Sequence, residues 1–270
     1  MDTFNRIASA IFGVLLAPFG EKHVWSAWID MAIWSIGGGI VALLVYKWVS
    51  NQKGIARTKN EIKVHLLEIR LFKDDIVGVL TSTGKILGKN AIYLGHNLLP
   101  MVVMMIPMMA ILIQLVALYA FDPVDVDETR LLKVQLDNEV ATAAGITSSD
   151  VTLELPPGVV LEVGPVPTAQ GEVAWRLHAT EAGDHVLKIH VGDEVLEKRL
   201  AAGGEPRRVP VKRTKTWEAL LYPAEPPVPS DSAVMTAKFS YPVRDLGWMP
   251  GGELGILLIF FGLSLAAGIA

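Results

Sequence analysis

Apolar residues fall into three dense blocks, near residues 24–46, 98–121 and 254–270, and the chain between the second and third changes from runs to alternation. A helix crosses the hydrocarbon core of a bilayer with about 20 apolar residues. The first two blocks meet that length. The third holds 17 residues, from 254 to 270, about 25 Å of helix at ~1.5 Å per residue. That is short of a crossing, so the pattern predicts a chain that continues past Ala270. The second block carries no charge over 24 residues, yet contains Pro100 and Pro107 together with Met101, Met104, Met105, Met108 and Met109. The prolines predict a bent span. Met104, Met105, Met108 and Met109 fall at i, i+4 spacing, a stripe that suits either varied apolar substrates or plain lipid contact. Gly37–Gly39 inside the first block predict a close-packing surface for another helix.

Residues 1–23 lack the positive start of a signal peptide, since Asp2 offsets Arg6. Ile7, Ile11, Val14, Leu15 and Pro18 predict an amphipathic helix lying at the membrane interface.

Between the first two blocks the pattern is helical. Ile55, Ile62, Ile69 and Ile76 recur every seven residues, with Leu66 and Leu80 in companion positions and Lys59 and Lys73 interrupting that second row. This is a coiled-coil-like stripe, with Arg57, Lys63, Arg70 and Asp74 on the opposite face. Gly78 and "TSTG" predict a break, and "KILGKNAIYLGHN" a second amphipathic piece. The two pieces predict a helical hairpin that is either a spacer with a solvated basic face or a docking arm.

Residues 123–245 alternate apolar and polar positions. Val173, Trp175 and Leu177 point one way, and Glu172, Ala174, Arg176 and His178 the other. Val186, Ile189 and Val191 predict a further strand, with Asp184 in the turn before it. "EAGDH" and "VGDE" read as hairpin turns, and residues 223–231 as a stiff proline-rich connector. Short strands at this spacing predict an antiparallel β-sandwich.

Charge adds an orientation. Residues 47–90 hold nine Lys/Arg against four Asp/Glu, whereas residues 121–247 hold 13 against 20. Short Lys/Arg-rich loops stay in the cytoplasm, which predicts the N-terminus outside, the hairpin inside, the β-domain outside and the C-terminus inside. Trp25, Trp28, Trp48 and Trp248 fall near the predicted span ends, as in an aromatic belt. The predicted fold class is membrane α-helical, three transmembrane helices with a cytoplasmic helical hairpin, plus an extracytoplasmic all-β sandwich domain. Its divisions are an interfacial helix (1–23), a span (24–49), the hairpin (50–97), a span (98–121), the sandwich (122–247) and a last span (248–270).

The chain has no cysteine, which excludes disulfides, thiolate chemistry and cysteine-ligated metals. His178, His185 and His190 read as surface histidines rather than a metal site. No hydrolase, metalloprotease or nucleotide-binding motif is present. The expectation is a non-enzyme with no cofactor, no metal and no nucleic-acid partner.

The order of elements, with "LLVYKWVSNQKGIARTKNEIKVHLLEIRLFKDD" (residues 43–75) and "YLGHNLLPMVVMMIPMMAILIQL" (residues 93–115), resembles the YidC/Oxa/Alb membrane protein insertase superfamily. Its closest likeness is to the compact three-span branch of archaea and of the insertase subunit of the ER membrane complex. The first span carries no arginine, however, and a whole β-domain follows the second, where that family has a small or helical segment. The resemblance implies a polar groove open to cytoplasm and lipid, in an inner (plasma) membrane. Lys47 would stand at its mouth, Asn90, His96, Asn97 and Gln114 would line it, and Met101, Met104, Met105 and Met108 would meet substrate. Asn97 and Gln114 also suit ordinary interhelical hydrogen bonds. The implied partners are the lipid bilayer, nascent membrane proteins or the ribosome, and other membrane subunits. The rival reading is a membrane-anchored scaffold or accessory subunit whose external sandwich binds a partner protein.

The orientation has a direct check. Protease added to spheroplasts is expected to cut within residues 122–247 and spare residues 50–97. Cleavage of the arm with the β-domain left whole would mean the opposite topology.

Overall fold

A computed structural model of the protein describes residues 24–168 and 171–269. The interfacial helix expected over residues 1–23 lies outside them. Helix α1 spans Val24–Val49, α2 Gln52–Leu71 and α3 Ile76–Tyr119; a short α4 (Asn138–Ala144) lies among eight strands, and α5 spans Gly252–Ile269. Helices α1, α3 and α5 are long and apolar enough to cross a membrane. The chain divides into two compact units, Met1–Ser35 with Ala110–Gly262, and Ile36–Met109 with Leu263–Ala270.

The unit of residues 36–109 and 263–270 is helical. A Cβ on Gly39 would stand 2.8 Å from the Ser264 carbonyl oxygen of α5, whereas one on Gly37 would meet nothing within 4 Å. The glycine triplet thus serves close packing through Gly39. Asn51 starts α2 by accepting from the Gly54 amide at 2.9 Å, the usual cap for an orphan N–H. The turn between α2 and α3 covers residues 72–75, and α3 then runs unbroken for 44 residues through both prolines.

The break expected at Gly78 and "TSTG" is therefore absent, and the two pieces of the expected hairpin end and span are one helix. Asp75 caps the start by accepting from the Gly78 amide at 3.1 Å. Thr81 and Thr83 donate back to the Val77 and Val79 carbonyls, each at 2.8 Å, so residues that favour turns are absorbed into the helix. Ile55, Ile62 and Ile69 are half-buried against α3, but Ile76, Leu66 and Leu80 are exposed. The expected companion row lies outside the interface. Polar ties take its place: Glu61 pairs with Lys89 at 2.7 Å, and Ser82 donates to Glu68 at 3.0 Å. Lys89 first, then Arg57, hold the Glu61 carboxyl below its usual range.

In the other unit the β-domain forms two antiparallel sheets. Strands β1 (Thr129–Leu136), β3 (Val159–Pro167), β4 (Glu172–Ala179), β7 (Lys212–Thr214) and β8 (Val234–Phe239) make one, in the order β3-β4-β1-β8-β7. Strands β2 (Val151–Glu154), β5 (Gly183–Val191) and β6 (Glu194–Ala202) make the other, in the order β2-β5-β6. Leu132 sits opposite both Trp175 and Phe239, and side chains of both sheets join one core that includes Val173, Trp175, Leu177, Leu187 and Ile189. The alternation read for β4 holds. In β5 the inward residues are Leu187, Ile189 and Val191, while Val186 is exposed and Asp184 lies within the strand. Strands β5 and β6 meet through a two-residue turn with Gly192 at φ 58°, a conformation glycine adopts without penalty.

The free edge of β6 is plugged. Arg213 donates to the Glu197 carbonyl, the Arg199 amide donates to Glu225 at 2.7 Å, and the Ala201 amide donates to the Tyr241 hydroxyl at 3.0 Å. The Ala201 carbonyl accepts from the Val124 amide at 3.1 Å. Beside this edge, fully buried Lys198 donates to the Pro210 carbonyl and pairs with Glu225. Glu225 belongs to the proline-rich connector, so one ion pair fastens that segment to the sheet. Burial pushes the Lys198 ammonium down to about 8, against the pull of Glu225.

Breaking a buried pair leaves a charge without its counterion, which costs about 3–5 kcal/mol. Glu225→Gln or Lys198→Met alone is expected to lower the unfolding midpoint of the detergent-solubilised chain by that order. The double substitution Lys198→Met/Glu225→Leu should cost far less than the two singles together. Because the folded-state pKa of Lys198 lies below the ordinary 10.5, unfolding takes up a proton between those values. Raising the pH from about 8 to about 10 should therefore stabilise the wild type, and this slope should vanish in Lys198→Met. The check is the circular-dichroism melt across that range.

Candidate functional site: polar groups along the helical spans

The residues expected to line a groove divide between the two units. Lys47, Asn90, His96, Asn97, Met101, Met104, Met105 and Met108 belong to the helical unit, and Gln114 to the other. Lys47 and Asn90 are exposed, and His96 is half-buried. Asn97 is fully engaged: its carbonyl oxygen accepts from the Tyr46 hydroxyl of α1 at 3.1 Å, and its amide donates to the Tyr93 carbonyl at 2.8 Å. Met101 and Met105 face outward, Met104 and Met108 are half-buried, and Pro100 is buried. Each proline lacks the amide that would reach back four residues. The His96 and Val103 carbonyls of α3 therefore lose their usual i+4 donor.

Within the unit of residues 1–35 and 110–262, Gln114 is buried and accepts from the Arg208 guanidinium at 3.0 Å. A second polar group was hidden by the high average hydropathy of the first block. Asp30 of α1 is fully buried and accepts from the Tyr119 hydroxyl, at the end of α3, at 2.8 Å. The Arg244 guanidinium lies 5.6 Å from the Tyr119 ring centroid, where the negative face of an aromatic ring attracts a cation. Its Nε donates to Asp122 at 2.7 Å, while both Nη atoms are buried without a hydrogen bond. A lone acid in an apolar run was the available sequence signal, because ionisable groups at such positions are costly and pair with one another.

Beside this cluster Trp28 stacks on Trp248 with ring centroids 5.8 Å apart, and its indole donates to the Leu246 carbonyl at 3.2 Å. A cleft of about 480 Å³ opens there between Trp25, Ile29, Ala32 and Leu246. Its walls are apolar, so it offers packing and no acid, base or nucleophile. Tyr222 donates to Glu253 at the start of α5 at 2.9 Å, and burial together with that carboxylate pushes its phenol up.

Elsewhere the histidines have separate partners. His178 meets Glu162 at 3.1 Å, His185 the Glu181 carbonyl at 2.9 Å, and His190 Glu154 at 3.1 Å. Among the described residues no group of three acidic or histidine side chains is placed to hold a metal ion. No protein-family model, curated protein or solved structure matches the chain.

Tyr119→Phe removes the donor to buried Asp30 and keeps the ring under Arg244. The loss should be about 1–3 kcal/mol, the usual penalty for depriving a buried acceptor. It is read as a lowered melting midpoint in micelles, and an unchanged midpoint would mean that the bond contributes nothing.

Proposed function

We propose that the chain is an insertase-like integral membrane protein that assists membrane protein insertion or assembly through a polar groove, without enzymatic chemistry. In this reading it sits in the inner (plasma) membrane with the N-terminus outside, the hairpin and C-terminus in the cytoplasm, and a β-sandwich outside. The observation that supports it best is the continuity of α3, which carries a basic hairpin directly into a proline-bearing apolar span. The resemblance to the YidC/Oxa/Alb superfamily itself rests on the order of elements and on residues 43–75 and 93–115.

The physical task is defined by the solvent. A polar group at bilayer depth costs several kcal/mol unless it is hydrated or paired. Carbonyls at His96 and Val103 that lack their i+4 donor, together with exposed Lys47 of α1 and Asn90 of α3, would offer partners that lower this cost. Exposed Met101 and Met105 would receive the apolar part of a client, because an unbranched thioether adapts to varied shapes. Clients would be nascent membrane proteins, delivered by ribosomes or shared with other membrane subunits.

The second reading, a membrane-anchored scaffold whose β-domain recruits a partner protein, is favoured by one observation. The side-chain carbonyl oxygens of Asn97 and Gln114 already accept from Tyr46 of α1 and Arg208 of the β-domain. Photo-crosslinking from Met101 and Met105 in native membranes separates the two. The insertase reading expects adducts with many newly made membrane proteins that disappear when translation stops. A single adduct that persists without translation would overturn it in favour of the scaffold.

A further inference from the structure

The hairpin leaves one face of α2 uncovered, and that face has a definite chemistry. The pairs Glu61–Lys89 and Glu68–Ser82 fix an antiparallel register, with +7 on α2 matched by −7 on α3. Ile55, Ile62 and Ile69 look toward α3. Val64, Leu67 and Leu71 lie roughly 170° around the helix at 100° per residue, and they are 53%, 63% and 75% exposed. With Ala56 and Asn60 they recur at i, i+4, i+8, i+11 and i+15, the spacing of a helix seam awaiting a partner.

One edge of that face carries Lys63 and Arg70, and Lys53 stands at its start, all exposed and none in an ion pair. The two acids of α2 stand along the opposite edge and are occupied, Glu61 by Lys89 and Arg57, and Glu68 by His65 and Ser82. The strip is therefore apolar, with free cations along one edge and already paired carboxylates along the other. Helix α3 also has an exposed row, Leu80, Leu87 and Leu94, but it lacks charged flanks and nothing there defines an occupant.

We infer that the outward face of α2 is a docking strip for an amphipathic helix of a partner protein, whose apolar seam covers Val64, Leu67 and Leu71 and whose Asp or Glu residues meet Lys63 and Arg70. A second copy of this chain is the wrong occupant, since its own acids are already paired and it brings no free carboxylate to Lys63 and Arg70. A bilayer surface fits less well. Helix α2 runs antiparallel to an unbroken α3, so its strip extends along the axis of the helix that enters the span, about 30 Å of arm, rather than across it. The inference does not rest on the insertase reading.

The probe is a fluorescent peptide of about three heptads, with leucine at a and d and glutamate at e and g; its control carries lysine at e and g. The full chain is placed in nanodiscs of neutral phosphatidylcholine, and anisotropy is followed. The glutamate peptide is expected to bind at least about tenfold more tightly than the lysine peptide, and to weaken as salt screens the contact. Leu67→Asp should abolish binding with helicity unchanged. Lys63→Glu/Arg70→Glu should transfer the preference to the lysine peptide, which a merely folding-impaired variant would not do. Equal binding of both peptides, or a preference unmoved by charge reversal, overturns the proposal. So does self-association of the chain without peptide. A dye on Lys63→Cys that shifts blue only when anionic lipid is added would assign the strip to the bilayer and overturn it as well.

Discussion

The interior amides of α3 find their partners within the helix, and this requirement shapes the rest of the chain. An apolar medium supplies no water to an exposed peptide group, and a segment as apolar as Met101–Met109 meets that demand as a helix whatever its local preferences. The ladder tolerates Thr81, Thr83 and four glycines on the way in, and it runs on through Pro100 and Pro107. Where the prolines break it, at the His96 and Val103 carbonyls, polarity is left in the span without any charged residue. The same economy appears at Asp30, which is held by a tyrosine hydroxyl from the far end of α3.

The β-domain obeys a different constraint. Its core forms by alternation, and its one fully buried ammonium is tolerated because a carboxylate from the connector reaches it. Lys198 is neutralised in place rather than solvated, and the price is a dependence on residues 27 positions away in sequence. The stretch "RRVPVKRTK" looks like an open basic patch in the linear chain. Folded, Arg207 pairs with Asp184, Lys212 with Glu218 and Lys215 with Asp137, and Arg213 binds the Pro226 carbonyl at 2.9 Å. Its charge is spent inside the domain.

What could be read from the sequence follows from these constraints. Long apolar runs gave the helices of the three spans, and period-two alternation gave β4 and its inward Val173, Trp175 and Leu177, because both signals are local. The hairpin turn was misplaced because threonine and glycine favour turns on their own but yield to a helix that caps well at Asp75. The companion row of Leu66 and Leu80 was misassigned because a seven-residue repeat fixes a face without saying which face meets the neighbour. Asp30 was passed over because one acid barely alters the mean of a long apolar run. Lys198 with Glu225, and Gln114 with Arg208, were beyond reach, since nothing local records a contact between distant positions.

The covered margin of β6 has a consequence for a domain linked to helices apolar enough to cross a membrane. Molecules confined to a sheet of lipid meet one another in two dimensions, at a crowding that a freely diffusing domain escapes. A bare strand would then seed pairing between neighbours. With the Arg199 and Ala201 amides and the Glu197 and Ala201 carbonyls claimed by Glu225, Tyr241, Arg213 and Val124, that margin is a poorer template for a neighbour's strand.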